Sequence, residues 1–126
     1  MKVGPKADKF GEFLIANLRD AAIDRFDSLA SDHLKSPRTE SLRKALAGMS
    51  IEDRVVVRRC VLTCVDTGLH DFLFALHQIA DFENDITVVV DGKNIVEQSD
   101  GLHGELFSGD GWFARFSKHG QYPENA

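Results

Sequence analysis

The order of patterns along this chain predicts an α+β fold, in which about four N-terminal helices pack on a C-terminal antiparallel meander of three to four strands. Two observations carry that reading. From Phe10 to Ala80 apolar residues recur at spacings of three and four, the period of helices that lay one face on a core. From Ile86 onward β-branched and aromatic runs alternate with turns rich in Gly and Asp, which is hairpin grammar. One domain over 1–126 follows: helical over about 8–81, a meander over about 86–117, and a polar, frayed tail over 118–126.

The first helix opens near Asp8. Phe10, Phe13, Leu14, Leu18, Ala21, Ala22, Phe26 and Leu29 make its apolar stripe, with charged residues between them. Ser36-Pro37 interrupts it, because proline disfavours helix in the residue before it. A short helix over about Thr39–Ala47 stops at Gly48. Ser50 is then a good N-cap, with Asp53 completing an imperfect capping box. Between Ile51 and Val65 apolar residues occupy more than one face, so a helix buried on several sides is expected. Val55, Val56 and Val57 make a strand the rival, and the cap and the length decide for helix. Thr67-Gly68 reads as a kink or break, followed by another stripe of Leu69, Phe72, Leu73, Leu76, Ile79 and Ala80. Asp91-Gly92 is the strongest hairpin signal and joins Ile86–Val90 to a returning strand at Ile95–Gln98. Leu102–Phe107 and Trp112–Ser117, each preceded by a Gly-containing turn, complete the meander.

The composition is that of a soluble globular protein, 43% hydrophobic and 28% charged over 126 residues. Such a chain buries a sufficient core without disulfides or metals. No apolar run reaches the roughly 18 residues that a membrane span needs. Met1 to Phe10 holds no apolar stretch of a secretory signal. Cys60 and Cys64, one helical turn apart, are expected to be buried thiols in a reducing cytoplasm. The competing reading, a C-x-x-x-C metal or redox pair, lacks a second cysteine pair to complete it.

Charge is unevenly divided. Residues 1–60 carry 12 Lys and Arg against 9 Asp and Glu, whereas residues 61–126 carry 3 against 11, which together give the net −5. The halves either attract each other within one fold or present opposite surfaces to other subunits. The overall acidity argues against general nucleic-acid binding, which needs a contiguous basic face.

Four constellations carry candidate chemistry. Asp66, His70, His77 and Asp81 fall within about 60° of one another on an unbroken helix. His70 and His77 are separated by about 10 Å of rise, so a site would be Asp66/His70 or His77/Asp81 with ligands from elsewhere. The plain alternative is a solvated face of ion pairs, with Asp71 no more than a polar neighbour of His70. Second, Asp100, His103 and Glu105 lie in a glycine-bounded turn and strand, with His103 and Glu105 on one face. An imidazole between carboxylates can serve acid/base work or metal ligation, or simply line a sheet. Third, Arg54, Arg58 and Arg59 extend a basic run begun by Lys35, Arg38, Arg43 and Lys44. No aromatic residue interleaves them, so a stacking platform for single-stranded nucleic acid is missing. Fourth, strand alternation would set Phe113 and Arg115 on the face opposite Trp112 and Phe116, open to a second subunit. No nucleophile elbow, phosphate loop or H-E-x-x-H zinc motif is present. The sequence leaves the cofactor unknown, and no metal-ligand set is complete.

Gly68–Leu76 and Ser99–Glu105, with Gly111-Trp112 behind them, resemble stretches of small uncharacterised bacterial cytoplasmic proteins that join a helical first half to a β-meander. The resemblance covers about residues 50–118 and implies a bacterial, cytoplasmic setting and no activity. The function expected is that of a small binding or interaction protein: a homo-oligomer, an adaptor or an immunity-type inhibitor. Its partner is a second copy or an acidic protein. The alternative is a small metal-assisted or acid/base enzyme using His70, His103 and Glu105, with Asp100 beside them.

Overall fold

The computed structural model describes residues 5–31, 36–82, 86–97 and 99–121. Helix α1 (Pro5–Leu14) continues through a π-helical turn (Ile15–Asp20) into α2 (Ala21–Ala30) without a break. The predicted first stripe is therefore one long helix. Its π turn holds an extra residue per turn, and Ile15, Arg19 and Asp20 are all buried there. A 3₁₀ turn at Pro37–Thr39 leads into α3 (Glu40–Ala47).

Helix α4 (Ile51–Phe82) is 32 residues long, roughly 48 Å at 1.5 Å per residue. Its start follows the expected cap, with the Asp53 amide donating to Ser50 Oγ at 3.0 Å. The break expected at Thr67-Gly68 does not occur. A helical glycine costs only about 1 kcal/mol, and buried Leu62, Leu69 and Leu73 hold the rod on both sides of it.

The hairpin is where Asp91-Gly92 put it. Strands β1 (Val89–Val90) and β2 (Lys93–Asn94) pair antiparallel, with Val90 opposite Lys93. Asp91 and Gly92 both have positive φ, 51° and 81°, as a type I′ turn demands. Among the described residues, the rest of the meander takes other forms. Ile95–Glu97 is a turn, Leu102–Glu105 is a 3₁₀ turn, and Trp112–Phe116 is a short helix, α5. Trp112 and Phe113 are both buried, and adjacent residues can share one interior side on a helix but not on a strand. The fold is thus helix-rich, with one two-stranded sheet among the described residues.

The main core lies between α1, the C-terminal half of α4 and the C-terminal turns. Leu14, Ile15, Leu69, Leu73, Ile95, Leu102, Leu106 and Trp112 form its centre. Trp112 presses so closely on α1 that a Cβ on Gly11 would stand 2.3 Å from its ring. At the other end of α4, Phe26 of α2, Leu46 of α3 and Leu62 are buried where those helices meet.

Candidate functional site

The continuity of α4 sets one turn of histidine-bearing helix against the 3₁₀ turn. His70 and His103 converge, their ring centroids 5.2 Å apart and nearly perpendicular. His77 approaches His103 from the following helical turns, at 6.3 Å. Phe74 lies edge-on to His103 at 5.0 Å, and Phe107 closes over His70 at 6.2 Å. His70 Nδ1 is 3.1 Å from Asp71 Oδ1, the polar neighbour that the sequence offered. His103 Nδ1 is shut off from solvent and has no hydrogen-bond partner among the described residues. Burial, and then repulsion from His70 and His77, hold the His103 pKa below its ordinary value. The cluster is aromatic-walled, and among the described residues no three His, Cys, Asp or Glu side chains are grouped to hold an ion.

Glu105 does not join it. In a 3₁₀ turn residues two apart point about 240° apart, not along one face as in a strand. Burial and the neighbouring carboxylate of Asp8 raise the Glu105 pKa, which places it in the surroundings of the Asp8–Arg115 pair. Asp100 is exposed in the preceding turn. Asp81 belongs to the last turn of α4, where its side chain lies outside the described residues.

The proposed contact residues divide as well. Arg58 is buried and bound to Asp27 through Nε at 2.8 Å and Nη2 at 3.1 Å. Arg54 is half-buried beside Phe26 and Ile51, whereas Arg59 is exposed. Phe113 is buried, not displayed, beneath the Arg19 guanidinium at 4.1 Å. Arg115 is exposed and grips Asp8 through both terminal nitrogens, at 2.9 and 3.1 Å.

Sequence reasoning missed the polar centre of the molecule. Arg19 is fully buried and donates to Asp66 through Nε at 2.6 Å and Nη2 at 3.1 Å. Its remaining donors reach Ser117 Oγ and the carbonyls of Gly120 and Gln121. Asp20 accepts from Ser117 Oγ at 2.6 Å and from the Lys118 amide at 3.0 Å. Residues 118–121, expected to fray, are therefore clasped to the π turn; the tail beyond them lies outside the described residues. A signal was present, since Ile15, Arg19 and Ile23 repeat at intervals of four. An arginine in that register belongs to an apolar stripe and needs an internal carboxylate.

The outer face of α4 departs furthest from expectation. Cys60 and Cys64 are exposed free thiols, because the described residues cover the helix on one side only. Val56 is 56% exposed, and Thr63, Thr67 and Gly68 are exposed as well. At 100° per residue these positions lie opposite Leu62, Leu69, Leu73 and Leu76. A shallow groove of about 360 Å³ runs along Val56, Arg59, Cys60, Thr63 and Cys64. The centre of this face carries no charge from Val56 to Thr67, about three turns, where a surface helix ordinarily turns its charged residues to water. No helix among the described residues is long and apolar enough to cross a membrane.

No family model, curated protein or solved structure matches this chain.

Proposed function

We propose that this chain is a small interaction protein that self-associates through the outer face of α4. The observation that carries the reading is the exposed, uncharged stripe of Val56, Cys60, Thr63, Cys64 and Thr67 on one continuous helix. A second copy is the occupant that suits it. Asp53, Cys60, Cys64 and Asp71 are spaced seven, four and seven residues apart, so these four positions read alike from both ends. A two-fold antiparallel contact then sets Cys60 of each copy beside Cys64 of the other. Small side chains at the centre permit close approach of two helices, while the acidic ends repel and keep the contact short. Three turns bury far less than the roughly 800 Å² per partner of a stable interface, so the pair is weak and concentration-dependent. Adaptor or immunity-type roles would draw on the same surface.

Sedimentation velocity over a concentration series tests this. A monomer–dimer equilibrium is expected, lost in Thr63→Arg with unchanged helix content. A monomer at every concentration, with and without added metal ions, rejects the reading.

The convergence of His70 and His103 favours a second reading, acid/base chemistry by that pair without Glu105. It predicts turnover in a broad hydrolase and isomerase screen that disappears in His103→Ala; a parent protein silent throughout the screen counts against it.

A further inference from the structure

We propose that Cys60 and Cys64 from two copies of the chain form a four-thiolate site for a thiophilic divalent ion such as zinc; the proposal rests on self-association through α4. Both thiols are free and exposed on adjacent turns of one helix face, although cysteine is among the residues most often buried. They are poorly placed to pair with each other. Side chains four apart on a helix have Cβ atoms about 5–6 Å apart, against about 3.5–4.5 Å in a disulfide. The same spacing suits chelation, as two ligands four apart on one helix do in zinc proteins.

One copy provides half a site. No third His, Cys, Asp or Glu among the described residues is grouped with these thiols to hold an ion, and a closed zinc site takes four ligands in a tetrahedron. A two-fold axis through the middle of the stripe sets Cys60 of each copy beside Cys64 of the other and brings four sulfurs together. Charge supports the arrangement. Four thiolates around a divalent ion leave a net −2, and Arg59, which lines the same groove, contributes a positive charge from each copy. Val56 and Thr63 supply a rim that limits water at the ion. On binding, each thiol gives its proton to solvent and its sulfur lone pair to the metal, with no change of oxidation state. The ion thereby strengthens a helix crossing too small to hold firmly by contact alone.

The test is titration of reduced protein with Cd²⁺ and Zn²⁺, read by thiolate-to-cadmium charge-transfer absorption and by native mass spectrometry. One ion per two chains is expected, with dimer persisting at dilutions where the metal-free protein has dissociated. Cys60→Ser and Cys64→Ser, both at exposed positions, should each weaken binding at least about a hundredfold while helix content is unchanged. One ion per single chain, or binding untouched by either substitution, overturns the site. So does metal-free self-association, sensitive to Thr63→Arg, in a protein that binds no cadmium; that result leaves the self-association reading standing. A monomer in every condition overturns both.

Discussion

Gly11 and Gly68 both sit inside helices, and their surroundings give the same substitution opposite signs. Beyond Gly68 a Cβ would meet nothing within 4 Å, so Gly68→Ala should raise stability by up to about 1 kcal/mol through helix propensity. At Gly11 the new Cβ would stand 2.3 Å from the Trp112 ring, and neither the helix backbone nor a fully buried indole can yield. Gly11→Ala should therefore cost about 1–3 kcal/mol despite the better propensity. Urea unfolding of the two variants beside the parent measures both. His103 adds a pH dependence. Its folded pKa lies below the ordinary 6.5, so below that value the unfolded chain binds the proton and the folded one resists it. Stability is complete above about pH 6.5 and declines as pH falls toward the lower folded value. The urea midpoint should drop between about pH 7 and pH 5, and His103→Phe should flatten that part of the curve while keeping the ring packing.

The π turn of the first helix and α4 are joined through Arg19 and Asp66, and that pair also anchors the C-terminal segment. Its five donors are all occupied, which is the condition for a guanidinium to be buried at tolerable cost. Removing the carboxylate leaves an uncompensated charge inside. Asp66→Ala should lower stability by about 3 kcal/mol, the low end of the range for broken buried pairs, because the Asp66 side chain keeps 23% exposure. Amides of residues 117–121 should lose hydrogen-exchange protection in this variant before those of α4 do. Uniform loss across the molecule would mean that the segment is not held by this clasp.

Across the molecule as a whole, the charge asymmetry is partly satisfied internally. Lys9 meets Asp91 at 3.2 Å, and Arg19 meets Asp66; in each pair the cation comes from the basic half and the anion from the acidic one. Lys118 and His119 cross the other way to Asp24, which lowers the Asp24 pKa chiefly through Lys118. Among the described residues, the outer side of α4 is one surface that these pairs leave exposed. Because the acidic ends of the stripe repel across the proposed contact, added salt should tighten the monomer–dimer equilibrium of the metal-free protein, whereas an acidic partner on Arg54 and Arg59 would be shed as screening rises.

Local chemistry was legible from the residues: the Ser50 cap, the Asp91-Gly92 turn and the long amphipathic stripe from Phe10 to Leu29 depend on neighbours a few positions away. Period could not be read in Leu102–Glu105 or Trp112–Phe116, which are too short to separate a repeat of 2 from one of 3.6. The burial of Trp112 against Gly11 and of Arg19 against Asp66 joins residues about 100 and 47 positions apart, and only packing brings such partners together. The same holds for α4. Its sequence is apolar on several faces, so pattern alone implied cover on all of them. Among the described residues the packed elements cover one side of it, and that leaves Cys60 and Cys64 exposed.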